Sequence, residues 1–174
     1  MTLPGKMTLS IYQKENIQEM IKHLHTYQKT NNIRNKCVIN TIILYDFMRH
    51  TLEINVDEIE ICLGWVFYNE KDENDNKISL THHCHIWLEV EERWDPSYDM
   101  IEISNKIYIK NYNQFNEFYV KYDIKFDKKE LYSGMLKSYK NLYPRIEEIK
   151  NHKTTPDDSY FDNIMDFIEN IKIK

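Results

Sequence analysis

A basic stripe, a long apolar run and an even set of cysteines are all missing from this chain, and each absence removes a class of function. Over 174 residues the formal charge is −5, with acidic and basic side chains interspersed. Nucleic-acid binders gather lysine and arginine on one face. Here the lysine-rich stretch Lys121–Lys129 is broken by Asp123 and Asp127, so no nucleic-acid partner is expected. No apolar run approaches the about eighteen residues that a membrane-spanning helix needs, so no membrane partner is expected either. The first ten residues, M-T-L-P-G-K-M-T-L-S, lack the apolar segment of a secretory leader. Three cysteines in dissimilar surroundings do not make a disulfide framework. Free thiols in a reducing cytoplasm are the expectation. Glycine (3) and proline (4) are scarce while tyrosine (13) is abundant. With frequent Asn, Ile and Lys, that bias reads as the coding background of an AT-rich genome rather than as function.

What is present suits one globular domain over residues 1–174, with 41% hydrophobic residues to supply a core. Ser10 is placed to cap a helix over about 11–28, where Ile17, Met20, Ile21 and Leu24 recur at helical spacing. The Asn-rich stretch 30–35 reads as a loop. A second helix over about 36–51 is apolar nearly all round, through Val38, Ile39, Ile42, Ile43, Phe47 and Met48, which marks it as buried. Strand formers then fill 58–68 and 78–90, with a charged loop over 69–77 between them. A third strand is expected to begin at Arg93–Pro96 and a fourth to cover 101–110. Helices are expected over 113–122, 128–151 and 157–171, with Pro144 splitting the middle one. Helices, then a strand meander, then helices indicate an α+β fold with an antiparallel sheet. Its core would cover about 33–110, and its helical C-terminal part about 112–172.

The chemistry concentrates in His82–Ser97, H-H-C-H-I-W-L-E-V-E-E-R-W-D-P-S. Strand side chains alternate faces. Cys84, Ile86, Leu88 and Val90 form an apolar set; His83, His85, Trp87 and Glu89 point the other way, and the buried second helix is the candidate to lie there. Whether Asp95 joins His85 depends on the reversal. A two-residue turn at Glu91-Glu92 sets Asp95 opposite Leu88, on the wrong face. A three-residue loop, Val90-Glu91-Glu92, sets it opposite Trp87, diagonal to His85 on the same face. The triad thus requires an odd loop, although no glycine is present for the left-handed position.

Cys37 opens the second helix. Unpaired first-turn N–H groups and the helix dipole favour a thiolate there. With an imidazole as base and acid, and a carboxylate orienting the ring, a thiol can attack an amide carbonyl. The backbone N–H of Cys37 is a candidate oxyanion donor.

These residues resemble the transglutaminase-like superfamily of papain-like cysteine enzymes. That pattern is a cysteine at the start of a core helix, a strand with H-x-W-x-E-V, and an adjacent strand with D-P-[ST]. The chain reads Cys37, then His85-Ile86-Trp87-Leu88-Glu89-Val90, then Asp95-Pro96-Ser97, over about residues 33–100. Lys36 and Val38 stand where the family often has Gly or Trp. The resemblance implies a buried cysteine helix packed on an antiparallel sheet, with extra C-terminal helices. It implies a thiol-dependent amide hydrolase or acyltransferase, of cysteine protease, isopeptidase or deamidase type. The substrate would be a protein or peptide, with no cofactor and no metal. Cys37 is the expected nucleophile, His85 the base and acid, and Asp95 the orienting residue. Trp87 and Asn40 are expected beside the substrate. Two other readings stand alongside: a catalytically silent interaction module of the same fold, and a metal site using the H-x-H pair His83 and His85 with Cys37 or Asp95. Cys62 and Cys84 are expected to be core thiols.

Overall fold

The computed structural model describes residues 8–71, 77–106, 119–121, 141–151 and 159–170. Helix α1 covers Ile11–Thr30. Ser10 starts it with a reciprocal capping box: its Oγ accepts from Gln13 N at 3.0 Å, and Gln13 Oε1 accepts from Ser10 N at 2.9 Å. Ile17, Met20, Leu24 and Gln28 form the buried stripe. Asn32 and Asn35, at φ 54° and 60°, turn the chain toward α2 (Cys37–Asp46). Asparagine tolerates this left-handed region better than other non-glycine residues. Every residue of α2 from Cys37 to Tyr45 is buried, as the apolar circumference requires. The last turn widens into a π-helix, Phe47–Thr51.

Strand β1 (Glu60–Lys71) pairs antiparallel with β2 (Lys77–Val90), with Gly64 opposite His85 and Cys62 opposite Trp87. Strand β3 (Glu92–Trp94) returns along β2. The sheet order is β3-β2-β1-β4, with β4 formed by Tyr119–Lys121. Helices α3 (Asp99–Lys106), α4 (Arg145–Asn151) and α5 (Ser159–Glu169) complete the described fold. The arrangement is α+β with an antiparallel sheet. No helix among the described residues is long and apolar enough to cross a membrane.

One core joins α1, α2, Cys84, Ile86, Leu88 and Val90 of β2, Ile149 of α4, and Tyr160 and Ile164 of α5. Trp87 and Cys62 lie outside that cluster. Helix α2 therefore packs with the even-numbered set of β2, while its first residue, Cys37, meets the His85 ring. Thr41 fixes the contact by donating to the Ile86 carbonyl at 3.4 Å.

Two elements differ from expectation. Residues 101–106 are helical rather than a fourth strand. Ile101 and Ile103 alternate as in a strand, but the preceding corner nucleates a helix: Tyr98 O accepts from Ile101 N at 2.8 Å and Glu102 N at 3.3 Å. Asp99 and Glu102 then place acidic groups in the first turn, where the dipole favours them. Tyr119–Lys121 is a strand rather than the end of a helix, and it covers the edge of β1 from Gly64 to Val66. Tyr119 and Val120 are strand formers, and an open sheet edge supplies the partner. Of the expected charged loop over 69–77, residues 69–71 and 77 belong to β1 and β2, and 72–76 lie outside the described residues. The expected helix over 113–118 and the stretch 128–140 also lie outside them. Helix α4 starts directly after Pro144, where the split was expected.

The reversal between β2 and β3 is tight. Val90 pairs with Glu92, Glu89 with Arg93 and Leu88 with Trp94. Glu91 alone sits at the corner, at φ 68°. Its carboxylate is held from outside, by Leu9 N at 3.1 Å and Lys14 Nζ at 3.4 Å. A side chain at a left-handed position is strained relative to glycine, and these two contacts compensate. Glu91→Ala should therefore be less stable than Glu91→Gly by about 1 kcal/mol in urea unfolding. Equal stability would show that the corner carries no backbone strain.

Candidate active site

The β2–β3 register places Asp95 on the His85 face. His85 Nε2 and Asp95 Oδ2 are 2.8 Å apart. The other oxygen, Oδ1, accepts from Ser97 N at 2.9 Å, so the carboxylate is fixed at both ends. The ring is completely buried (0% exposed) and stacks on Trp87, with centroids 5.9 Å apart and planes inclined by 17°. Across the sheet, Gly64 presents no side chain to the imidazole. Nε2 belongs to Asp95, so the buried Nδ1 is the nitrogen that can serve Cys37, whose side chain interacts with the ring. That contact is looser than a strict hydrogen bond, as catalytic contacts often are without substrate.

Burial alone would depress the basicity of the imidazole. The Asp95 carboxylate outweighs it by charge and hydrogen bond, and the Cys37 side chain pulls in the same direction. The net result pushes His85 up to about 10. The neighbouring thiol differs: burial, and next the negative charge of Cys37, push Cys84 up to about 12 against the hydrogen bond of the His85 backbone. Cys84 is thus the inert thiol of the pair. Cys62 donates to Glu89 Oε2 at 3.3 Å. All three cysteines are buried and free of disulfides.

Cys37 is the first residue of α2, and no side chain of Lys36 caps that helix end. It retains 9% exposure, and the Asp95 side chain 11%. Asn40 lies one turn further on. Its Nδ2 donates to Ser97 Oγ at 3.1 Å and its Oδ1 accepts a short bond from Tyr160 Oη. Trp87 is fully buried and donates its indole N–H to Glu89 Oε2 at 2.9 Å. Asn40 and Trp87 are as deeply buried as His85 itself. Asn40 ties α2 and α5 to the loop after Asp95, and Trp87 backs the imidazole.

Sequence reading overlooked the residues that hold that loop. Gln28, buried in α1, donates to Pro96 O at 2.8 Å and accepts from Tyr98 N at 2.7 Å. It continues the stripe of Ile17, Met20 and Leu24, and a polar residue on such a stripe signals a buried partner. His25, one turn earlier, donates Nε2–H to Asp95 O at 3.1 Å. Burial holds His25 below its ordinary range against the opposing pull of Asp95 and Asp99. Arg34 clamps Glu102 through both guanidinium nitrogens Nε and Nη2.

For the metal reading, the side chain of His83 lies outside the described residues, and His85 is committed to Asp95 and Cys37. Among the described residues, Glu60, Cys62 and Glu89 bring ligand atoms within 4.8 Å of one another. The Cys62 and Trp87 hydrogen bonds to Glu89 account for part of that clustering.

The chain matches no model of a known protein family, no curated protein and no solved structure.

Two outcomes follow from the geometry. Gln28→Met keeps the volume but strands the buried Pro96 carbonyl and Tyr98 N–H, which should cost about 3 kcal/mol in urea unfolding. A loss below about 1 kcal/mol would show that the clamp is dispensable. Second, the proton that folding retains on His85 stabilises the native state fully below its unfolded value of about 6.5. That contribution should fall as pH rises from about 6.5 through about 10. Stability curves of the wild type and Asp95→Asn between those limits check it; parallel curves would refute the raised His85.

Proposed function

We propose that the chain is a thiol-dependent amide hydrolase or acyltransferase of transglutaminase-like, papain-like fold, acting on a protein or peptide. The observation that carries this reading is one buried imidazole that holds Nε2 on a carboxylate at 2.8 Å and interacts with the side chain of a helix-opening cysteine. In the proposed reaction the Cys37 thiolate attacks an amide carbonyl, a C–S bond forms and the oxygen gains the negative charge. The first-turn N–H groups of α2 face that charge without a competing side-chain cap. His85 passes its proton to the leaving amine as the C–N bond breaks. Water or an amine then takes the acyl group from sulfur, with the neutral ring as base. Asp95 holds the ring for both steps. We favour hydrolysis, which needs only water as acceptor.

A second reading has one observation in its favour. Cys37 and His85 are buried, and the cavity lined by Trp94, Asp95 and Ile101 does not reach either of them. A catalytically silent interaction module would keep the three residues for packing.

Iodoacetamide labelling at neutral pH, read by peptide mass spectrometry, separates the two. Catalysis requires Cys37 to react ahead of Cys62 and Cys84; equally slow labelling of all three favours the silent module. Cys37→Ala and His85→Ala should each remove turnover of a peptide and isopeptide library, and Asp95→Asn should lower it by about 10⁴-fold or less. Activity retained in the Cys37 variant would overturn the mechanism.

A further inference from the structure

We propose that the cavity between α1 and the β3–α3 corner is a docking site for an acidic peptide segment whose carboxylates flank apolar side chains. The cavity measures about 510 Å³, within the range of ligand sites. Its apolar surface comes from Ile21 on α1, Trp94 on β3, and Met100 and Ile101 on α3. Three cations border it: Lys22 and Lys29 from α1, and Arg93 from β3. Neither lysine ammonium is engaged in an ion pair or hydrogen bond among the described residues. Asp95 is the one carboxylate among the lining residues, and its oxygens are committed to His85 and Ser97. Lys22 and Gln18 also line a neighbouring depression that carries Glu15 and Glu19. A chain with a net charge of −5 thus presents a locally cationic, apolar-floored recess.

The spacing selects the ligand. Lys22 and Lys29 lie two helical turns apart, about 10 Å along the axis. Two carboxylates at a matching spacing can each meet one ammonium without drawing the two like charges together. Two carboxylates three residues apart in a peptide of polyproline II conformation share one edge and lie about 9 Å apart, and the two side chains between them project to the other edges, toward the apolar floor. Gln18 and Thr26 on the same helix face supply polar groups for the peptide backbone. A simple fatty acid satisfies one ammonium and leaves the other bare.

The site is distinct from the sulfur, and binding is measurable without turnover, so this proposal does not rest on the catalytic reading. The probe is a fluorescein-labelled peptide, Glu-Leu-Leu-Glu-Leu-Leu-Glu, titrated with the full chain and followed by anisotropy. Binding should be saturable and should weaken severalfold between about 0.05 and about 0.5 M NaCl. Lys22→Glu/Lys29→Glu should raise Kd at least tenfold. Lys22→Gln/Lys29→Gln should weaken it less, and this variant serves if the charge reversal unfolds the chain. The peptide with glutamine in place of glutamate should not bind. Equal affinity for both lysine variants, no binding of the acidic peptide, or saturable binding of laurate in its place would each overturn the proposal.

Discussion

An imidazole with no exposed surface, hydrogen-bonded to a carboxylate, is the interaction around which this molecule is arranged. Desolvation would drive an isolated buried histidine to its neutral form. Here Asp95 first, and then the Cys37 sulfur, reverse that preference. The reversal holds only while all three groups keep their places, because a buried charge that loses its partner is strongly destabilising. The same pair that would orient a catalytic base is therefore also a constraint on the fold.

That constraint is met by polar clamps drawn from distant parts of the chain. Gln28 and His25 grip the Asp95–Tyr98 corner through its backbone, from one face of α1. Asn40 reaches the Ser97 hydroxyl from α2, and Tyr160 of α5 anchors Asn40 in turn. Asn35 N donates to Asp99 Oδ2 at 3.3 Å, linking the loop before α2 to the start of α3. The Gln28, Asn40 and Asp99 side chains in these clamps are buried and would be costly if left unsatisfied. The helices thus position the corner as much as they cover the sheet.

The sequence revealed the histidine face and the partner register because both follow from strict alternation. Cys84, Ile86, Leu88 and Val90 are apolar, so the parity of every other position on β2 is set, and only an odd reversal brings Asp95 to His85. What fills the corner was not legible. Glu91 succeeds where glycine is expected because Leu9 and Lys14, remote in sequence, hold its carboxylate. The α3 helix was missed because its isoleucines alternate, while its stabilisers, the Tyr98 carbonyl, Asp99 and Arg34, are matters of local turn geometry and long-range pairing. Trp87 and Asn40 are buried, and alternation and helix spacing say nothing about how completely a neighbouring layer encloses them. Tyr160 carried no local signal; its contact spans 120 positions.

The one-residue corner at Glu91 bears on which changes of length the chain can survive. Surface connections usually accept insertions and deletions freely. Here one added residue between Val90 and Glu92, carried through β3 without a bulge, would invert its parity, turning Trp94 away from the interior and Asp95 away from the imidazole. Two added residues would keep that parity and lengthen only the tip. Among lineages descended from this chain, length variants of the corner should therefore differ by even numbers of codons.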